Sequence, residues 1–280
     1  MNTLVFIFIF LLGTIIGSFL NVVIFRFNTG KTIVTGRSIC MTCNRTLRWY
    51  ELIPLFSFLI QSGKCRRCAE KISHQYPLVE FITGLMFVLV AYHFIPIIFF
   101  SPLLYLLLVI FFAFIFSILI VISVYDIRHK VIPDKLVFVF SLAAFLSIFI
   151  NYSDFGTLFV LPRASAILAG PLLALPFFLI WLLSKGKWMG LGDAKLMLGL
   201  GWILGIYMGL ASMILAFWIG AIVGLFIMFF LKNLPALKRE QAGKLNMKTE
   251  IPFAPFLIIS AFIVFLFSID IFTLAALFQF

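Results

Sequence analysis

Cys40, Cys43, Cys65 and Cys68 are the chain's four cysteines. They form two C-x2-C pairs separated by 21 residues. Two such knuckles place four thiolates tetrahedrally around Zn²⁺, although the linker is slightly longer than usual for this pattern. Gly63 suits the tight turn before the second pair. Arg45, Lys64, Arg66 and Arg67 surround the knuckles and favour the thiolate form. With all four ligands drawn from the protein, no coordination position stays open, so a zinc here is structural rather than catalytic. A thioredoxin-like role needs one CxxC on a βαβ unit, and that pattern is absent. Redox chemistry and another thiophilic metal stand as the alternatives.

The second set is acidic. Glu80, Asp126, Asp134, Asp154, Asp193 and Asp270 lie beside or within long apolar stretches. Ionisable groups in such places are expensive and point to function. Asp154 falls in a loop where solvation explains it, and Asp270 lies near the end of the last stretch, within reach of water. Asp134 follows Pro133 and reads as a helix N-cap. Glu80 either pairs with a basic loop residue or serves a site. Asp126 closes one apolar stretch, and Asp193 follows Gly190-Leu191-Gly192 and opens another. These glycines allow close backbone approach or a positive-φ turn. Two carboxylates at the same depth can share one proton. The ionised partner then activates water, while the protonated one polarises a peptide carbonyl and later protonates the leaving amine. The competing reading makes them helix caps or partners of Arg128 and Lys195. HExxH, GxSxG, Walker A and strand-to-helix GxGxxG patterns are absent, and His74, His93 and His129 are widely separated.

The elements that must position these groups are membrane helices. Of 280 residues, 64% are hydrophobic and only 11% charged, and Phe occurs 37 times. The mean hydropathy of +1.22 and a charged share far below the roughly 25% of soluble domains exclude an ordinary soluble enzyme, a disordered chain and a disulfide scaffold. A crossing helix needs about 20 mostly apolar residues. The candidates are Thr3 to Phe25, Leu78 to Phe100, Leu103 to Tyr125, Leu136 to Ile150, Leu161 to Leu183, Ala194 to Tyr207, Gly209 to Leu231 and Ile251 to Phe278. The first reads as a span rather than a secretory leader, because no basic residue precedes it and no cleavage site follows it before Arg26.

The expected fold is therefore an all-α polytopic membrane protein of about eight transmembrane helices. A zinc-binding cytoplasmic loop joins the first helix to the second. Residues 1–25 form the first helix, 26–77 the loop, and 78–280 a seven-helix membrane domain.

The formal net charge is +11. Its basic residues do not make the continuous track that nucleic acid would need. They cluster between apolar spans: nine from Arg26 to Lys71, three from Arg128 to Lys135, three from Lys185 to Lys195 and five from Lys232 to Lys248. Only Arg163 falls at the opposite ends. The positive-inside rule then puts these four segments in the cytoplasm and both termini outside. Between the knuckles, the stretch from Leu47 to Ile60 is too short and interrupted to cross. Its Trp49 and Tyr50 suit the headgroup region, so the loop is expected to rest on the inner membrane face; a soluble mini-domain with an ordinary core is the alternative.

With these residues in view, the chain resembles the type IV prepilin peptidases. The likeness runs through six ordered blocks: Gly17 to Arg26; Gly36 to Cys43 with Trp49-Tyr50-Glu51-Leu52-Ile53-Pro54; Cys65 to Cys68 with Ile72-Ser73 and Tyr76 to Glu80; Asp126 with Ile132-Pro133-Asp134; Gly190 to Leu196; and Ile251 to Phe256. Met41 stands where the family usually has Pro, and Ala254 where it usually has Gly; neither touches a candidate ligand or carboxylate. The resemblance implies an inner-membrane aspartic peptidase with Asp126 and Asp193 as the catalytic pair. Its substrates would be prepilins or pseudopilins, cleaved after a Gly on the cytoplasmic side. It further implies methylation of the new N-terminus with S-adenosylmethionine, an activity associated with the cysteine loop; no residue here is assignable to that methyl donor. Two other classes compete. A non-enzymatic zinc-clipped assembly factor needs the cysteines but neither aspartate, and a transporter wants acids near the bilayer midplane, where the central spans carry almost none.

Overall fold

The computed structural model describes residues 3–30, 32–150, 159–233 and 252–276, with the side chains of 227–233 left aside. Asp154 and most of the last basic loop lie outside the described residues. The described residues form ten α-helices: α1 (Thr3–Arg26), α2 (Phe56–Ile60), α3 (Gln75–His93), α4 (Ile95–Ile98), α5 (Pro102–His129), α6 (Asp134–Ser147), α7 (Ala164–Ser184), α8 (Leu191–Asn233), α9 (Ala254–Phe267) and α10 (Ile271–Ala276). Isolated backbone bridges stand in place of a sheet among the described residues. Among the described residues five helices, α1, α3, α5, α7 and α8, are long and apolar enough to cross a membrane. α6 and α9 have 14 residues each.

The chain divides into two compact units, Met1–Val121 and Ile122–Phe280, and the division falls within α5. In the first, α1 and α3 pack through small residues. A Cβ on Gly13 would lie 2.8 Å from the Gly84 Cα, and one on Gly17 would lie 2.7 Å from the Glu80 Cα. Close backbone contact of this kind is how helices associate where lipid removes the hydrophobic drive. Asn21 of α1 then donates to the Tyr76 carbonyl at 3.1 Å, tying the end of α1 to the start of α3. α3 begins at Gln75 rather than near Leu78, because Pro77 is tolerated in a first turn, where its missing N–H has no helical partner.

In the second unit, α8 packs against α6, α7 and α9. Its small residues set the approach: a Cβ on Gly199 would fall 2.3 Å from Phe140 of α6, and one on Gly201 would fall 2.8 Å from the Ala169 carbonyl of α7. α7 contains Pro171, which leaves the Ile167 carbonyl without its helical donor. Trp202 of α8 supplies one: its Nε1–H donates to the Ile167 oxygen at 3.0 Å. In lipid a freed backbone group must find a partner from a neighbour, and this one does.

A straight helix of the 43 residues in α8 would be about 64 Å long, twice a hydrocarbon core of about 30 Å. It is broken at Gly205, whose φ of 73° and ψ of −178° lie outside helical space. Only glycine takes that conformation readily. The sequence placed the break near Met208; the structure moves it to Gly205 for this reason.

Candidate functional site

The two cysteine pairs occupy one backbone design used twice. In the first knuckle the Asn44 N–H donates to the Cys40 carbonyl at 2.9 Å, and the Cys40 N–H to the Arg45 carbonyl at 2.9 Å. In the second, the Ala69 N–H donates to the Cys65 carbonyl at 2.9 Å, and the Cys65 N–H to the Glu70 carbonyl at 2.8 Å. Asn44 and Ala69 both have positive φ, 54° and 56°, and each knuckle is closed by a bridge, Ile39 to Thr46 and Lys64 to Lys71. Gly63 takes φ +65° at the turn ahead of the second, as its placement suggested.

The four sulfurs lie within 4.8 Å of one another, with Cys40 and Cys68 Sγ 3.9 Å apart. A tetrahedron with bonds of about 2.3 Å to sulfur has edges of about 3.8 Å, so the set fits a metal ion. Its thiols are unequal. The N–H groups of Cys68 and Arg67 hold Cys65 down at about 6. At Cys68 the Glu70 N–H favours the thiolate, but burial and the other three thiols push it up to about 11. Four thiolates crowded together resist full ionisation; a dication at their centre removes that opposition.

Glu51 supports the cluster and was not singled out from sequence. Its side chain is buried, pairs with Arg45, and accepts the Arg48 N–H at 2.8 Å. Burial alone would raise Glu51, but the Arg48 N–H and the Arg45 guanidinium hold it below the usual carboxylate range. A lone acid between basic residues was the available signal. Arg66 lies 5.2 Å over the Tyr50 ring, joining the second knuckle to the segment between the knuckles.

Asp126 sits in the last turn of α5 and Asp193 in the first turn of α8. Both are buried. The two carboxylates are within electrostatic reach of each other. Asp126 accepts the N–H of Ala254, the first residue of α9, so a free helix N-terminus steadies it. Asp193 accepts the N–H of Gly190, while its Oδ1 is buried without a hydrogen-bond partner. A native structure rarely leaves such an oxygen without reason. Gly192 is needed for close approach rather than for a left-handed turn, since a Cβ there would meet that of Ile132 at 2.8 Å.

The remaining acids take other roles. Asp134 is not an N-cap: Pro133 holds that position in extended geometry. Asp134 lies inside the first turn and pairs with Lys195 at 2.7 Å, which engages the lysine that the cap-and-ion-pair reading assigned to Asp193. Asp270 caps α10, accepting the Thr273 N–H at 2.7 Å. Glu80 is buried, accepts the Leu55 N–H at 2.8 Å and a hydrogen bond from Ser18. It therefore ties the loop to α1 and α3.

Helices long and apolar enough to cross a lipid bilayer, two of them bearing a buried carboxylate at one end, place the protein among polytopic membrane proteins. Comparison with known proteins narrows this. Residues 11–94 match the bacterial peptidase A24 N-terminal domain, and residues 113–225 match the type IV leader peptidase family. A prepilin leader peptidase/N-methyltransferase of Myxococcus xanthus is 52% identical over 81 residues, 29% of this chain and 24% of that one. The protein of the same name from Bacillus subtilis is 29% identical over 248 residues, 88% of each chain. That of Stutzerimonas stutzeri is 30% identical over 280 residues, covering 91% of this chain and 88% of the relative. No solved structure matches the chain. The chain belongs to the type IV leader peptidase family.

Proposed function

We propose that this protein is a bifunctional membrane enzyme that removes the leader from prepilins or pseudopilins and methylates the new N-terminal residue. The observation that carries the reading is the approach of Asp126 and Asp193, two buried carboxylates brought together from separate helices, one with an unpartnered oxygen. In this reading one carboxyl is ionised and takes a proton from water as it attacks the scissile carbonyl. The other is protonated, hydrogen-bonds the carbonyl oxygen, and a proton passes to the departing amine. The chemistry needs neither a metal nor a covalent nucleophile.

The cysteine set holds a structural Zn²⁺ in this account, with Cys40, Cys43, Cys65 and Cys68 as ligands. The ion would act as a crosslink between the knuckles. S-adenosylmethionine supplies the methyl group. The division of labour follows the proposed domains, a loop of residues 26–77 for methyl transfer and residues 78–280 for hydrolysis. We further propose eight crossings, counting α6, the two arms of α8 and the α9–α10 segment separately, with both termini outside the inner membrane and the basic segments in the cytoplasm. A leader retained in the cytoplasm then meets Asp126 and Asp193 at the rim.

Co-expression with a prepilin tests the pair. Asp126→Asn and Asp193→Asn should each reduce cleavage to background, because groups acting as a unit fail together. Asp270→Asn should cleave normally. Substantial cleavage by either pair variant, folded and inserted, contradicts the assignment.

A further inference from the structure

The segment between the knuckles presents an apolar face that stays exposed among the described residues. On α2, Leu59 and Ile60 follow Phe56 by one helical turn, and the three are 71%, 70% and 56% exposed. Trp49, just ahead of them, is 77% exposed. Single exposed apolar residues need no explanation, but a contiguous set does. The opposite side of α2 is already used: Phe58 packs edge-on to His74 and over Gly63.

Glu80 fixes where this face lies. Its carboxylate holds the Leu55 N–H at 2.8 Å, at the residue that launches α2. Leu55 has φ +61°, a conformation that L residues with side chains seldom adopt. The chain is therefore turned at a defined point beside α3. Glu80 is in the second turn of α3, about 7.5 Å along its axis. Over that same stretch α3 presents Leu78, Phe81 and Ile82, 58%, 48% and 43% exposed. Thus α2 starts at a level where a membrane helix already shows apolar side chains outward. With five residues it cannot cross a bilayer, so its place is the interface. Arg48, Lys64, Arg66, Arg67 and Lys71 are all exposed in the same loop, which complements anionic headgroups.

We propose that α2 and Trp49 form a bilayer-inserting surface of the cysteine loop, pinned at interfacial depth by the Glu80–Leu55 hydrogen bond, and that its ligand is an anionic phospholipid surface. The pin makes the loop part of the membrane structure rather than a tethered soluble appendage. It also gives Glu80 a positioning role.

The full chain in nanodiscs of phosphatidylcholine with phosphatidylglycerol tests this. The lipids carry bromine either close to the headgroup or deep in the acyl chain. The contribution of Trp49 is the difference in fluorescence quenching between the unaltered protein and Trp49→Phe. Interfacial helices bury their apolar face about 5–10 Å below the headgroup boundary, so shallow bromine should quench Trp49 more than deep bromine. Glu80→Gln keeps an acceptor for Leu55 and should keep the quenching. Leu59→Asp with Ile60→Asp should abolish it while helix content by circular dichroism is unchanged. The proposal fails if brominated lipid quenches the two proteins equally while aqueous acrylamide reaches Trp49. It fails too if Trp49 becomes protected only on adding a prepilin or raising protein concentration, which would assign the face to a polypeptide. Equal quenching in discs of phosphatidylcholine alone overturns the anionic preference.

Discussion

The cysteine loop and the aspartate end of the helical unit hold their key side chains in different ways. In the loop, each knuckle is made by its own backbone: a turn, a positive-φ residue and a short bridge, all within a few residues of the cysteines. Asp193 keeps the Gly190 N–H as a local partner, but no local turn brings it to Asp126. Asp126 is steadied by the N-terminus of α9, and Asp193 rides on an α8 whose position depends on small residues against α6 and α7. A locally framed site tolerates change in the helices around it. A site assembled by packing fails when a remote contact fails, even with its own residues intact.

Distant packing should then matter more to hydrolysis than to metal binding. Gly199→Leu drives a side chain into Phe140 and should displace the start of α8. Overpacking of about 1–3 kcal/mol, if transmitted in full to the geometry of the pair, corresponds to a loss of cleavage of roughly five- to 150-fold. Metal content should be unchanged. Equal losses of metal and cleavage would erase the contrast.

The reverse experiment removes two ligands. Purified protein should hold about one Zn²⁺ per chain. Cys65→Ser with Cys68→Ser should lose it and should reduce methyl transfer more than cleavage. Native protein with no zinc and with two disulfides, measured by elemental analysis and thiol titration, would move the loop to redox chemistry.

A smaller effect tests the packing of α7 on α8. Trp202→Phe leaves the Ile167 carbonyl without its donor, and where lipid rather than water surrounds it the penalty is about 1–3 kcal/mol. In a Pro171→Ala background the helix regains its own N–H, so the same substitution should be milder. A double-mutant cycle of thermal stability in detergent reads the difference, and a zero coupling would show that Trp202 does not compensate for the proline.

The smallest effect is in the second knuckle. Ala69 holds a left-handed conformation that Gly adopts freely, so Ala69→Gly should stabilise the loop by about 1 kcal/mol. Asn44→Gly should gain less, because Asn tolerates this region. Hydrogen exchange of the knuckle amides compares them.

Much of the cysteine site was legible because its information is local: CxxC spacing and the glycine at position 63 carry the geometry. Arg45 was noticed as a charge near thiols, but its pairing with Glu51 was not, since two residues six apart in an irregular loop have no fixed relation. The aspartates were visible as types and positions, and their approach required helix packing that no spacing encodes. Asp134 looked like a cap because it follows proline; its partner Lys195 lies on another helix. The break in α8 was anticipated as the boundary between two apolar stretches near Met208 but misplaced, because several glycines lie close by and only Gly205 leaves helical space. Glu80 stayed open between two roles, and it turned out to hold a backbone N–H, a partner that charge counting never suggests.

The central claim, two sites with separable work, is tested most directly by mass spectrometry of a pilin N-terminus. Leader-bearing, cleaved, and cleaved-and-methylated forms differ in mass. Asp193→Asn should leave the leader on a prepilin yet methylate a pilin supplied without it. Cys65→Ser with Cys68→Ser should yield mainly cleaved, unmethylated pilin. Full methylation by the cysteine variant, or failure of Asp193→Asn to methylate the pre-cleaved pilin, would contradict the account.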